Sequence, residues 1–258
     1  MSINLIGRAL ALALCLASTP SWAQELKFTT QDFPPFSYNT NGVVSGPAVD
    51  IIRRVCVEMK AQCSFRLLPW SRAQQEVRTG KANGMFVIGW NQKRAKWVHF
   101  TPPIMNTEYG IFVKTGNPLK FAELADIGGY KVGVYGPSNT SNSLNKIRTK
   151  MVEDGLKAIT IDMRPDDESG FKKLALGRID AVFSNRDVGH ALIAKLGLSE
   201  KIQYAGPQRK LKYFIGFSME NNDKNVLDRF DAAYRKLHAS GEVKKILDKH
   251  SMEIAELN

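Results

Sequence analysis

The stretch GKANGMFVIG, residues 80–89, joins the end of a predicted helix to a buried strand. A glycine closes the helical pattern, a basic residue follows it, and the apolar run MFVIG leads to a polar segment. The stretch GRIDAVFSN, residues 177–185, repeats this order and ends at Ser184 and Asn185. Two such helix-to-strand units indicate an α/β fold, because helices and buried strands alternate along chains that form mainly parallel sheets.

The same alternation extends over most of the chain. Strands are predicted over residues 26–30, 64–68, 85–89, 109–114, 130–135, 158–163, 179–184 and 211–218, and helices over 48–60, 72–79, 141–155, 168–176, 227–237 and 243–250. In sheets of this kind, ligands bind beyond the carboxyl ends of the strands. We therefore expect the polar residues that follow both quoted stretches to border a cleft.

The first residues have the pattern of a secretory signal. Arg8 precedes an apolar run, and small residues at positions 21 and 23 mark a cleavage site before Gln24. The apolar run is too short to span a bilayer. The sequence therefore predicts an exported, periplasmic protein from which residues 1–23 are removed.

The composition excludes several classes of function. The net charge is +11, but the cations are scattered and no long basic run contains interleaved aromatic residues, so nucleic acid is not an expected partner. The four histidines are far apart, and the motifs of metalloproteases, serine hydrolases and phosphate-binding loops are missing from the sequence. We expect no metal, no cofactor and no enzymatic activity.

Two cysteines, Cys56 and Cys63, follow the leader. Cys56 lies late in a predicted helix and Cys63 precedes a predicted strand, so a helix-to-strand corner can bring the two sulfurs together. An even number of cysteines in an exported chain favours a disulfide. The alternative is a pair of free thiols.

Three segments contain candidate binding residues. The loop TTQDFPPFSYNTNG includes Phe33, which can stack on a ligand or pack locally. The segment VGVYGPSNTSNSL begins a helix whose free N–H groups can bind an anion, although Ser138 or Thr140 can equally be an ordinary cap. The segment GWNQKRAKWVHFTPP contains Arg94, which is either one more surface cation or a group that binds a ligand.

Together these segments resemble the family 3 bacterial extracellular solute-binding proteins, the periplasmic receptors of polar-amino-acid ABC importers. The resemblance rests on the order and spacing of FPPFSY, GPAVDIIRRV, PWSRA, GKANG, HFTPP, YKVGVYGPS, GRIDAVFSN and ASGEVKKILDKH. It implies the type II periplasmic-binding-protein fold, in which two α/β lobes are joined by two crossover hinge strands and close on a ligand between them. Residues 24–108 and 213–258 would form lobe 1, and residues 109–212 would form lobe 2. The hinges would lie near residues 107–110 and 211–214.

The resemblance also implies roles for individual residues. Arg94 occupies the position of the arginine that binds the ligand carboxylate, and a forked guanidinium suits that task. Phe33 matches a stacking aromatic and Trp70 an apolar wall. Ser138 and Asn139 match the residues that complete the carboxylate site.

Three positions depart from the family pattern. Gly89 and Asn91 stand where serine and threonine are usual. Asn185 stands where the family has the acid that binds the α-ammonium group, and Asp187 is the nearest acid that could replace it. The resemblance therefore implies carboxylate recognition without the usual charged partner for an ammonium group.

The predicted function is that of a monomeric receptor that delivers a small, carboxylate-bearing, amino-acid-like ligand to an ABC importer permease. Two alternatives stay open: a cyclohexadienyl-dehydratase-like enzyme on the same fold, and a stand-alone ligand sensor. The enzyme would need a general acid. Asp166, Asp167 and Glu168 are the nearest candidates, but the sequence predicts them in a surface loop with no cause for a shifted pKa.

Overall fold

The computed structural model describes residues 25–257. The predicted signal peptide lies outside these residues. The strands are β1 (Glu25–Thr30), β2 (Tyr38–Thr40), β3 (Val43–Ser45), β4 (Gln62–Leu67), β5 (Gly84–Gly89), β6 (Val98–Phe100), β7 (Met105–Lys114), β8 (Lys131–Tyr135), β9 (Thr160–Arg164), β10 (Ala181–Asn185) and β11 (Ile202–Ser218). The α-helices are α1 (Pro47–Glu58), α2 (Trp70–Arg78), α3 (Gln92–Ala95), α4 (Asn139–Glu153), α5 (Asp167–Ala175), α6 (Arg186–Lys195), α7 (Lys224–Ala239) and α8 (Glu242–Asp248).

One curled sheet runs through both lobes in the order β4-β1-β5-β11-β7-β10-β8-β9, and β6 also pairs with β11. The outer strands on each side pair in parallel, as predicted: β1 with β4 and β5, and β8 with β9 and β10. The pairings of β7 with β10, of β7 with β11 and of β11 with β5 are antiparallel. The sheet is thus mixed rather than mainly parallel, because the chain leaves one lobe along β7 and returns along β11 in the opposite direction.

The two long strands β7 and β11 join the lobes. Their register pairs Met105 with Tyr213 at one end and Lys114 with Ile202 at the other, with two irregularities between. The predicted hinge segments 107–110 and 211–214 lie on these strands. The lobe boundaries drawn from the sequence remain a prediction.

Apolar spacing explains the helices that cover the sheet. In α1 the residues at helical spacing, Val49, Ile52 and Val55, are fully buried, and Pro47 begins the helix where no N–H partner is needed. A disulfide joins Cys56 in this helix to Cys63 in β4, with the two Cα atoms 6.2 Å apart, which confirms the predicted pairing. Within residues 25–257 no helix has the length and apolar character of a membrane span.

Candidate functional site

A pocket of about 40 Å³ lies where the first loop, the end of β5 and the starts of α2 and α4 meet the two long strands. Its lining includes six residues expected from the sequence, Phe33, Trp70, Gly89, Arg94, Ser138 and Asn139, together with Gln31, Val87, Ile88, Tyr109, Tyr135, Thr140 and Tyr213. Residues from both lobes therefore surround one cavity. Asn91 and Asn185, which were also expected at the site, do not line it.

Among the described residues that line this pocket, Arg94 is the only cation. The residue is 6% exposed, one guanidinium nitrogen donates to the carbonyl of Gly89 at 2.5 Å, and the guanidinium lies 5.5 Å from the ring centroid of Trp70. Among residues 25–257, no carboxylate oxygen lies within 4.0 Å of its nitrogens. Burial lowers the pKa of Arg94 to about 10, so the guanidinium still carries its charge at neutral pH.

A buried charge is normally paired, because removing it from water is costly. Arg94 therefore presents an uncompensated cation to a pocket, which is the arrangement expected of an anion-binding group. This position favours the ligand-binding interpretation of Arg94 over that of a surface cation.

Asn91 does not line the pocket, but its side chain binds the backbone of Arg94. Its side-chain oxygen caps α3 by accepting the N–H of Arg94 at 2.7 Å, and its amide nitrogen donates to the side-chain oxygen of Asn139 at 2.8 Å. Asn139 in turn donates to the carbonyl of Gly89 at 3.2 Å. A Cβ on Gly89 would lie 3.0 Å from the amide nitrogen of Asn139, so glycine permits this close approach. These three residues form a hydrogen-bonded contact between the end of β5 and the start of α4.

The start of α4 has the ordinary helix cap that was one of the two interpretations of its sequence. The hydroxyl of Ser138 accepts the N–H of Ser141 at 3.1 Å and donates to the carbonyl of Tyr135 at 2.8 Å, and the Ser141 hydroxyl accepts the N–H of Ser138. The capping role is therefore present. The first helical residues, Asn139 and Thr140, still have N–H groups with no acceptor within the helix, so capping and anion binding are compatible here.

A bulge shapes the strand that leads to Arg94. Phe86 pairs with Ile215 and Ile88 with Phe214, so Val87 is an extra residue on β5. Val87 has φ 57°, a left-handed conformation that a β-branched residue adopts at an energetic cost. Bulges occur next to binding sites because they re-aim the residues that follow.

Phe33 lines the pocket and also packs locally, with ring centroids 5.5 Å from Phe36 and 6.2 Å from Tyr213. Sequence reasoning missed Gln31 and Tyr135, whose side chains meet at 2.9 Å across the cleft. Both residues belong to quoted segments, and the signal that could have found them is their position at a strand end: Gln31 is the first residue after β1 and Tyr135 is the last residue of β8. Tyr109 and Tyr213 were treated only as part of the hinges.

Asn185 is 2% exposed and faces the long strands instead of the pocket. Its amide nitrogen donates to the hydroxyls of Thr107 at 2.6 Å and Tyr213 at 3.2 Å, and its oxygen accepts the N–H groups of Asp187 and Val188 at the start of α6. Asp187 accepts the Thr107 hydroxyl at 2.8 Å and also contacts Arg186. In this geometry every polar atom of the Asn185 side chain has a protein partner.

A second, larger cavity of about 580 Å³ adjoins the first and shares Gln31, Phe33, Trp70 and Tyr135 with it. Asp32, Asp166, Asp167, Glu168 and Lys195 also line it. The sequence-based expectation of a surface loop is wrong for Asp167 and Glu168, because both lie in the first turn of α5 and are partly buried. Burial raises the pKa of Asp167 to about 7, and the neighbouring Asp166 adds to this rise.

The described residues contain no cluster of three His, Cys, Asp or Glu side chains that could hold a metal ion. The site has the arrangement of a binding protein: two lobes, a cleft between them, and a buried cation with no carboxylate partner among residues 25–257.

The comparisons with known proteins agree with this class. The chain belongs to the bacterial extracellular solute-binding proteins, family 3, whose family model matches residues 27–253. It is 26% identical over 249 residues to the L-arginine-binding protein of Pseudomonas aeruginosa, an alignment that covers 93% of each chain.

Solved structures show the type II fold of the periplasmic binding proteins. A histidine kinase sensor domain with similarity to these proteins superposes with a TM-score of 0.78 at 22% identity, covering 90% of this chain and 98% of that one. An ancestral amino acid-binding protein, a precursor of cyclohexadienyl dehydratase, superposes with a TM-score of 0.72 at 19% identity, covering 87% and 94%. These likenesses support the predicted two-lobed fold.

Proposed function

We propose that the protein is a periplasmic receptor that binds a small, carboxylate-bearing, amino-acid-like ligand between its lobes and delivers it to an ABC importer. The ligand carboxylate would bind the guanidinium of Arg94 and the N–H groups at the start of α4. Phe33 and Trp70 would cover its apolar part. Closure of the lobes about β7 and β11 would retain the ligand without any chemical change.

The observation that carries this proposal is the unpaired charge of Arg94. A cation that is 6% exposed and has no carboxylate within 4.0 Å among the described residues needs an anion from outside the chain. Guanidinium and carboxylate match each other through two parallel hydrogen bonds. Each hydrogen bond to a charged group contributes about 1.5–3 kcal/mol.

The test is a thermal-shift screen of the exported chain, followed by calorimetric titration of each compound that raises the melting temperature. The compounds are the common amino acids, ω-amino acids, dicarboxylates and, as ligands without a carboxylate, polyamines. A ligand at a hundred times its dissociation constant adds about 2.7 kcal/mol. Each kcal/mol of added stability raises the melting temperature of a chain of this size by roughly 2–4 °C.

Arg94→Ala should weaken the binding of the carboxylate ligand at least tenfold, because the guanidinium hydrogen bonds are lost. Lys93→Ala is the matched control, since Lys93 is an exposed cation on the same short helix. Equal affinities in the two variants would remove Arg94 from the site. If only polyamines raise the melting temperature, or if no compound in the set does, the proposal of a carboxylate ligand is contradicted.

One observation favours a second candidate function. Asp167 has a pKa raised to about 7 and lines a cavity beside the Arg94 pocket, so it has the property required of a general acid. On a cyclohexadienyl acid such as arogenate or prephenate, it would protonate the leaving hydroxyl while the ring carboxylate leaves as carbon dioxide, which yields an aromatic ring and water. Absorbance of the aromatic product, measured after incubation with arogenate and with prephenate, separates the two functions. The receptor proposal expects no increase over a protein-free sample.

A further inference from the structure

The second cavity contains four acidic side chains, of which three already have partners or lie in water. Glu168 binds Lys195 at 2.6 Å and Lys172 at 3.1 Å. Both oxygens of Asp166 are used by Ser169, one by its N–H at 2.7 Å and one by its hydroxyl at 2.8 Å. Asp32 is exposed to solvent. None of these three carboxylates needs a further ligand to explain its position.

Asp167 differs from them. It is partly buried, and its one hydrogen-bond donor is the Ser184 hydroxyl at a long 3.4 Å. Among residues 25–257, no lysine, arginine or histidine nitrogen lies within 4.0 Å of it. Among the described residues that line this cavity the one cation is Lys195, and it is engaged by Glu168. The cleft thus contains an unpaired cation, Arg94, in one chamber and an unpaired anion, Asp167, in the adjoining chamber.

The position of these two charges limits the shape of the ligand. None of the described residues that line the Arg94 pocket is acidic. An ammonium on the carbon next to the bound carboxylate would therefore find no charged partner there, and Asn185, at the family's usual acidic position, is fully engaged elsewhere. Asp167 lines only the second chamber, beyond Gln31 and Tyr135, which border both.

We propose that Asp167 binds the cationic group of the ligand, and that the ligand class is ω-cationic carboxylates, in which an ammonium or guanidinium is separated from the carboxylate by several carbons. This inference rests on the proposed function, since it takes the carboxylate to be at Arg94. An extended chain would run along Phe33 and Trp70, the apolar residues common to both chambers. Basic amino acids belong to the class through their side-chain cation, and an α-ammonium group is not required.

The pH dependence follows from the raised pKa of Asp167, about 7. A cationic ligand binds the ionised carboxylate, so affinity should fall as the pH drops through 7, and binding near pH 7 should release protons. For one group of pKa 7, the affinity between pH 8 and pH 6 falls by about tenfold. The charged and titratable groups around this carboxylate are Asp32, Asp166, Glu168, Lys195, Tyr135 and Tyr213.

The first experiment uses two isomers and the unmodified protein. 5-Aminopentanoate and norvaline have the same atoms, but the ammonium is at the far end of one and beside the carboxylate of the other. Calorimetric titration with glycine, β-alanine, 4-aminobutyrate, 5-aminopentanoate and 6-aminohexanoate then finds the preferred spacing. The best ω-amino acid should bind at least tenfold more tightly than norvaline and than pentanoate, which has no cation.

The second experiment assigns the effect to Asp167. Asp167→Asn should weaken binding of the best ω-amino acid at least tenfold and remove both its pH dependence and the proton release, read from titrations in buffers of different ionisation enthalpy. Asp223→Asn is the matched control: it removes the same charge from an exposed helix cap that lines neither chamber, and asparagine still caps a helix. Its affinity should stay within about threefold of the parent.

The outcomes separate this inference from the proposed function. If norvaline equals or exceeds every ω-amino acid, or if Asp167→Asn binds the ω-amino acids as tightly as the parent protein does, the role of Asp167 is overturned. In that case, a loss of affinity for the same ligand in Arg94→Ala would still support the proposed carboxylate site. Affinity for the ω-amino acids that is unchanged by Arg94→Ala would instead overturn the proposed function.

Discussion

The ends of β5 and β10 have the same sequence pattern and opposite surroundings. Each strand follows a helix that ends at glycine, and each leads to an asparagine that caps the next helix, Asn91 for α3 and Asn185 for α6. Beyond β5 the chain brings Arg94 into the pocket without an acidic partner. At the end of β10 the cap residue is buried against the long strands, and its side-chain hydrogen bonds are all made to protein.

The difference comes from where the cap lies relative to the strand. Asn185 is the last residue of β10 and pairs with Tyr109 of β7, so its side chain is fixed by the sheet. Asn91 lies two residues beyond β5, after the bulge at Val87 and outside the sheet, and its side chain is held by Arg94 and Asn139 instead. A shared pattern therefore predicts that two strand ends occur, but not which of them opens into the cleft.

Among substitutions that test this difference between the two strand ends, Asn185→Asp should have the largest effect. The carboxylate would keep the cap on α6 but lose the N–H donors to Thr107 and Tyr213, and it would put a second charge near Asp187. We expect a loss of about 2–4 kcal/mol in the free energy of unfolding. Calorimetry should show a melting temperature lower by roughly 5 °C or more.

Asn39→Asp is the control for this substitution, because Asn39 is exposed and its side-chain oxygen accepts the N–H of Gly42, which aspartate can also do. Its stability should change by less than about 0.5 kcal/mol. Titration of Asn185→Asp with norvaline should show no gain in affinity. A gain of tenfold or more would mean that position 185 reaches the ligand, and the two strand ends would then be alike.

Much of the fold could be predicted from the sequence, because periodic apolar residues and glycine stops are local signals. Residues such as Val49, Ile52 and Val55 locate α1 within a residue or two. The antiparallel pairing of β7 with β11 could not be read in this way, because it depends on the route of the chain between the lobes. The position of Arg94 was implied by the family resemblance, whereas its lack of a carboxylate partner is a fact of three-dimensional packing.

Asp167 illustrates what local reasoning misses. Its neighbours in sequence, Asp166 and Glu168, are ordinary acidic residues at a helix start and have polar partners. The sequence Asp-Asp-Glu alone does not distinguish Asp167 from them. The helix start places it toward Ser184 at the end of β10, and burial there raises its pKa. Charge partners and burial are properties of the assembled cleft.

A smaller effect should come from the cap at the other strand end. Asn91→Ala removes the acceptor for the N–H of Arg94 and the donor to Asn139, and loss of a helix cap costs about 1 kcal/mol. We expect affinity for the carboxylate ligand to fall about fivefold in calorimetric titration. Asn91→Ser keeps a cap and loses only the contact with Asn139, so it should recover at least half of the lost binding energy. Equal losses in both variants would show that the contact between the lobes matters and the cap does not.

The smallest expected effect concerns Tyr135→Phe, which removes one hydrogen bond between the lobes and leaves the ring in place. The Tyr135 hydroxyl donates to the side-chain oxygen of Gln31 at 2.9 Å, on the border of the two chambers. A single neutral hydrogen bond contributes about 0.5–1.5 kcal/mol, so affinity should fall by roughly two- to tenfold and the free protein should open slightly. Gln31→Leu should have the same effect, and the double variant should add little, since both substitutions delete the same bond. Small-angle scattering with and without ligand measures the opening.

Additive losses of affinity in the double variant would mean that Gln31 and Tyr135 contact the ligand separately. The border between the chambers would then be part of the binding surface and not a contact that holds the lobes together.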